Sequence, residues 1–284
     1  MKALKVDDQP KEIVSRISED LLARFGDLPL LSPYDAYQRL MDYWVEVMQD
    51  DVYLVVAEGW VEAAKPRTII EDKERKIKEV PDLTVKRRKY KLDLLPPTLV
   101  VARYFSSEQA ALNALRVKQE ATLRELEEFV EERSGEEGPL TGVTNEQGKV
   151  TKSAVKERLS VMEAEAEEDE EWSVLTRCLE LIEADSVATR AVNDALDQLD
   201  RQVLAQYATL TEAEVKALVV EDKWFASLMG AVDGEVDRLT QQLSARVKEL
   251  DGRYAQPLPA LEREEERLGA KVDGHLKSMG LAWS

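Results

Sequence analysis

The sequence predicts a mainly α protein. A small N-terminal α/β portion spans residues 1–105, and long amphipathic helices follow over 106–284 in a hairpin, bundle or coiled-coil arrangement. Three observations point there. Charged residues make up 34% of the chain and aromatic residues only 6%, the balance of long solvent-facing helices. Apolar residues recur at steps of three and four through most of the C-terminal two thirds, the period of one helix face. The longest such stripe is Trp224, Phe225, Leu228, Val232, Val236, Leu239, Leu243, Val247, Leu250 and Tyr254. It predicts a rod from Asp222 to Tyr254, about 50 Å long at about 1.5 Å per residue, and a two-sided rod of that length needs a partner for its apolar stripe.

The 284 residues suffice for one large or two ordinary domains. Lys and Arg number 39 against 57 Asp and Glu, for a net charge of −18. That excludes a molecule whose whole surface grips nucleic acid, while leaving room for a local basic patch. Cys178 is the only cysteine, so no internal disulfide forms, and its apolar neighbours suit a buried structural thiol in a reducing compartment. No apolar run reaches about 18 residues and the N-terminus lacks a signal-peptide pattern, so a soluble cytoplasmic protein with no membrane partner is expected.

Lys11 to Phe25 reads as a first helix, with Ile13, Val14, Ile17, Leu21, Leu22 and Phe25 on one side and Gly26 as its C-terminal cap. Ser32 as N-cap, Pro33 at the first helical position and Asp35 in the first turn open a second, aromatic-rich helix through Tyr37, Tyr43, Trp44 and Met48. Val52 to Ala57 is short, apolar and β-branched and reads as a strand; Thr68 to Ile70 and Thr84 to Leu95 read as two more, together a small antiparallel sheet. Pro97 opens the next helix. Ser106 with Gln109 has the capping-box signature of another, which holds Leu112, Leu115, Leu126 and Phe129 in heptad phase around polar Gln119 and Thr122 and ends near Arg133.

Residues 134–149 contain four of the twelve glycines and form the loop at the tip of a helical hairpin. Glu163 to Glu171 has seven acids in nine positions. Lacking the glycine turn and spaced oxygen ligands of a calcium loop, it reads as a solvated helix face or a break between helices. The stripe resumes at Trp172, Leu175, Leu179 and Ile182 and continues through Val203. Thr211 with Glu214 makes a second capping box, Gln256 to Pro259 breaks the rod, and a last helix carries Leu261, Leu268, Val272, Leu276 and Met279.

Motifs for chemistry are scarce. There is no G-x-x-x-x-G-K-[ST] loop, no G-x-G-x-x-G turn and no C-x-x-C, and His275 is the single histidine, so zinc sites of Cys and His cannot form. His275 has no glycine-flanked nucleophile beside it and reads as a helix-surface residue. No catalytic, cofactor-binding or metal-binding residue is assigned. Between Val61 and Lys91, eleven basic residues stand against six acidic ones, densest at Lys86, Arg87, Arg88, Lys89 and Lys91. These five are candidate DNA contacts, in competition with a solvated hairpin whose edge lysines discourage aggregation. Trp224, Phe225, Leu228, Leu239, Leu243, Leu250 and Trp283 are candidate partner contacts, with core packing the competing use of the aromatic ones.

Several stretches together resemble the C-terminal region of the modification subunit of type I restriction-modification systems, a site-specific DNA adenine-N6 methyltransferase. They are Leu30 to Gln38 (LLSPYDAYQ), Leu40 to Trp44 (LMDYW), Met48 to Leu54 (MQDDVYL), Val100 to Phe105 (VVARYF), Leu210 to Lys216 (LTEAEVK), Asp222-Lys223-Trp224 and Met279 to Trp283 (MGLAW). In that family an earlier domain binds S-adenosylmethionine and holds the flipped adenine with an Asn-Pro-Pro-aromatic motif. This chain has no Asn-Pro-Pro, and Leu95-Pro96-Pro97-Thr98 lacks the asparagine, so no catalytic or cofactor residue carries over.

The resemblance implies a non-catalytic fragment, inactive by itself, whose parent protein would be the S-adenosylmethionine-dependent enzyme. Its helices would pack against the specificity subunit, in a complex with a second modification subunit and DNA. The rival expectation is a stand-alone coiled-coil scaffold or adaptor unrelated to methylation.

Overall fold

The computed structural model describes residues 4–26, 31–69, 79–134, 138–143, 150–165 and 170–281. It is mainly helical with one small sheet, as the sequence predicts. The chain forms two compact units interleaved along the sequence: residues 1–10 with 49–224, and residues 11–48 with 225–284. The sequence suggests a division near residue 105.

The first unit is built on a helical hairpin. Helix α6 (Ser106–Arg133) and helix α8 (Glu170–Tyr207) run antiparallel, tied by Gln119 Nε2 donating to Thr189 Oγ1 at 2.9 Å and by Arg177 to Glu125 at 2.8 Å. The polar interruption in the heptad pattern of α6 is therefore a bond across the seam. At the far end of the hairpin, α7 (Lys152–Glu165) and the turn Thr141–Val143 close a core of Leu140, Val143, Val155, Met162, Leu175 and Cys178. Arg158 pins it through a two-pronged contact with Glu171 at 2.7 and 3.0 Å. The acidic run straddles the junction: α7 ends at Glu165 and α8 begins at Glu170, with 166–169 outside the described residues. The hairpin starts one residue away from the predicted cap, because the N-cap of α6 is Phe105 and no side chain caps it, so the Ser106–Gln109 box does not form.

The near end of the same unit holds α3 (Gln49–Glu58), α4 (Trp60–Ala63), the sheet, α5 (Pro97–Tyr104) and α9 (Glu212–Ala217). Val52 to Ala57 is helix, contrary to the strand reading. A six-residue apolar run cannot by itself distinguish a buried strand from a buried helix turn, and here Val52 and Val55, three apart, are both fully buried. The strands are β1 (Arg67–Thr68), β2 (Leu83–Val85) and β3 (Arg88–Lys91), antiparallel in the order β1-β3-β2. The single strand expected over Thr84 to Leu95 is thus a hairpin, and Ile70 lies outside the described residues. Thr211 and Glu214 form the predicted capping box, and Tyr207 donates to the Leu95 carbonyl at 2.7 Å within the core.

In the second unit, α1 (Pro10–Phe25), α2 (Pro33–Tyr43) and the first half of α10 (Ala226–Tyr254) share a core of Leu21, Leu31, Ala36, Leu40 and Val232. Ile17, Phe25, Tyr37, Leu228, Val236 and Leu239 pack on it. Ser32 caps α2 through the Tyr34 amide with Pro33 in the first turn, as its sequence demands. Pro257 then begins α11 (Leu258–Ser278). Two stretches are π-wound, Trp44–Met48 and Leu218–Phe225.

Candidate functional site

Three constellations stand out. The first is the β2–β3 hairpin. Leu83 pairs with Tyr90, Thr84 with Lys89 and Val85 with Arg88, which leaves Lys86 and Arg87 as a two-residue turn. Both have positive φ, 49° and 65°, the requirement of the tight turn that matches strand twist. Leu83 and Val85 are buried, and they fix one face of the hairpin to its own unit. At its base the cations are matched: Lys91 meets Asp82 at 2.9 Å, and Arg67 reaches Glu79 at 2.8 Å and Asp93 at 2.6 Å. That guanidinium holds the Glu79 carboxyl below the ordinary glutamate range, and the two carboxylates raise Arg67 in turn. Lys86, Arg87, Arg88 and Lys89 are all exposed. Of the five candidate DNA contacts, four sit together at one solvent-facing tip and Lys91 is a strut beneath it.

The second constellation is the outer part of the second unit. Beyond Leu239 the stripe of α10 continues through Leu243, Val247, Leu250 and Tyr254, and all four are exposed. The apolar side of α11 is exposed too, at Leu258, Leu261, Leu268, Val272 and Met279. Of the candidate partner contacts, Leu243 and Leu250 lie on this open stripe, while Leu228 and Leu239 pack against the core of their unit. Phe225 is 60% exposed and Trp224 only 2%. Trp224 is therefore corrected from partner contact to core residue, because it packs on Trp60 and donates to Asp51, while Phe225, one helix step of about 100° further round, faces solvent. Trp283 lies outside the described residues.

The third is a buried polar node that sequence reasoning missed. The Asp51 carboxylate accepts from Lys223 Nζ at 2.8 Å and from the Trp224 indole N–H at 2.7 Å. Lys223 also donates to the Leu94 carbonyl at 2.7 Å. Trp60 lies against Trp224 with centroids 5.9 Å apart and donates to the Leu4 carbonyl at 3.0 Å. Burial raises the Asp51 pKa, and Lys223 only partly opposes it. Every polar atom in this contact set faces another protein atom, which marks a structural cross-link. Its only sequence signal is that Asp51 and the Asp222-Lys223-Trp224 triplet both fall in stretches that carry the family resemblance.

Among the described residues, no group of three or more His, Cys, Asp or Glu is placed to hold a metal ion, and no helix is long and apolar enough to cross a membrane. A groove between α6 and α8 is lined by Leu115, Lys118, Thr122, Glu183, Val187 and Ala191, and the Glu183 carboxylate there is already engaged by Lys152 at 3.0 Å. Compared with known protein families, curated proteins and solved structures, the chain matches none.

Proposed function

We propose that this chain is the non-catalytic C-terminal part of a type I modification subunit. In this reading it docks the adenine-N6 methyltransferase onto the specificity subunit in the cytoplasm, beside a second modification subunit and DNA. The observation that carries the reading is the open stripe on α10 and α11. Nine large apolar side chains face solvent there, more than scattered exposure ordinarily leaves, and exposed apolar surface on this scale marks an interaction site. A helix of the specificity subunit laid along the stripe would cover it by helix-in-groove docking. The Asp51 node adds support, since it joins two of the stretches on which the resemblance rests.

The test is co-expression with a specificity subunit. Leu243→Glu with Leu250→Glu places charges on exposed positions and leaves the helix signal and melting temperature of the chain unchanged. The expected result is loss of the complex on a sizing column. Full association of the double variant sinks the reading. Reading the coding frame upstream of Met1 separates it from a stand-alone scaffold: an in-frame Asn-Pro-Pro-aromatic motif supports the methyltransferase assignment, and a stop codon supports the scaffold. The chain alone is expected to transfer no methyl group from S-adenosylmethionine to DNA.

A further inference from the structure

We propose that α11 pairs antiparallel with α11 of a second copy of this chain, in a register centred on Ala270. This goes beyond the docking reading and does not rest on it. The pairing takes the α11 part of the open surface, and the α10 part is left for the specificity subunit. Helix α11 runs for 21 residues and buries none of them. Its interior holds Gly269 and Gly274, where an added Cβ would meet nothing. No neighbour in this chain calls for a glycine at either place, and each weakens the helix. Most of a helix's stability in a protein comes from packing its apolar face, so this helix calls for a surface to pack on.

The order of residues along the stripe says which surface. Leu261, Glu265, Leu268, Val272, His275 and Met279 recur at alternating steps of four and three, the seam spacing of a two-stranded coil. Read backwards from a second copy, each position meets its complement. Leu261 faces Met279, Leu268 faces Val272, and Glu265, the one acid on the seam, faces His275. An imidazole N–H donates to that carboxylate whether the ring is neutral or charged. The pairing is isologous, so every layer occurs twice.

Other arrangements of the same helix lose this match. Parallel pairing sets Glu265 against Glu265, like charge on like. Sliding the antiparallel pair by one heptad sets Glu265 against Leu268, or His275 against Val272, and leaves a polar group facing an apolar one. Polar seam residues thus fix the register. Charge along the helix agrees. Residues 258–267 carry Glu262, Glu264, Glu265 and Glu266 against Arg263 and Arg267, while 268–278 carry Lys271 and Lys277 against Asp273. Antiparallel packing lays the net acidic half of one copy on the net basic half of the other. At about 1.5 Å per residue the helix is about 32 Å long, which makes a small interface and a dimer that depends on concentration.

The test is sedimentation equilibrium of the full chain from about 1 μM to about 1 mM. The wild type is expected to rise from the mass of one chain toward that of two. Leu268→Glu puts a carboxylate into the central layers twice per dimer and should weaken association at least about tenfold. Its melting temperature should match the wild type, because Leu268 is exposed in the single chain. The exchange Glu265→His with His275→Glu keeps every layer paired and should keep the dimer. Orientation is read from Leu261→Cys and Met279→Cys, prepared separately. Mixed, the two should join through a short thiol-reactive linker. Neither should join to itself, because like positions lie about 27 Å apart in the antiparallel pair; Cys178 is buried. A wild type that stays single throughout the range overturns the proposal. So does Leu268→Glu that dimerises like wild type, or Leu261→Cys that links to itself. No specificity subunit is present and no residue of α10 is altered, so failure here leaves the docking reading untouched, and the reverse holds.

Discussion

At the scale of single residues, Asp51 decides most. It is a buried carboxylate with two donors, 172 and 173 positions away in sequence, so its role was invisible to any argument from local spacing. Asp51→Ala strands the Lys223 ammonium and leaves the Trp224 indole N–H without its acceptor. Breaking a buried pair from one side costs about 3–5 kcal/mol, and urea unfolding should show that loss. Asp51→Asn keeps a carbonyl acceptor and should cost less, about 1–3 kcal/mol. The two proteins should also differ in pH response. Because the native pKa of Asp51 lies above its ordinary value of 3.8, the native state holds this proton more tightly than the unfolded chain. That contribution to stability is complete below 3.8 and is lost as pH rises through the native value. A carboxamide at this position cannot titrate, so the wild-type advantage over Asp51→Asn should shrink on raising the pH across that window.

At the scale of elements, sequence was most informative where the deciding chemistry is local. Ser32 with Pro33, Thr211 with Glu214, and the Pro257 break each set a helix boundary from within a few residues, and each stands where its chemistry puts it. The strand reading of Val52 to Ala57 failed because the helix is set by distant packing. Leu40, Trp44, Met48 and Val52 are all buried at steps of four. At 100° per residue each such step overshoots a full turn by roughly 40°, and the π-wound turn at Trp44–Met48 takes up that drift. Val219 and Trp224, five apart, are likewise both buried because the turn between them is π-wound. The heptad reading of α6 identified Gln119 as polar within an apolar phase, but its partner Thr189 lies 70 residues on. Thr189→Val alone leaves the half-buried amide without its acceptor and should cost about 1 kcal/mol. Joining it with Gln119→Leu should restore most of that in thermal unfolding, since an apolar pair of similar shape removes the unmet group.

At the scale of the whole molecule, charge is unevenly distributed in a way that bears on how the open stripe would associate. Residues 240–281 hold seven basic and seven acidic residues, so the region bearing the open apolar stripe is neutral while the chain as a whole is −18. Association through that stripe should therefore change little between low and high salt, because apolar burial is its driving force. A complex with the specificity subunit that dissolves as salt rises would count against the stripe as the docking face. The stripe itself was legible in the periodicity. Where it changes from covered to open, after Leu239, was not, because that boundary depends on how far α1 and α2 extend beneath it.

The contact between Trp60 and Trp224, at 5.9 Å and 48° between ring planes, has a practical corollary. Two indole chromophores so close and so inclined couple through their strong far-ultraviolet transitions and produce a signed couplet in far-ultraviolet circular dichroism. That optical signature originates entirely within the first unit. It gives the experimenter a built-in gauge of whether that unit keeps its internal order while ligands or substitutions are tried on α10 and α11.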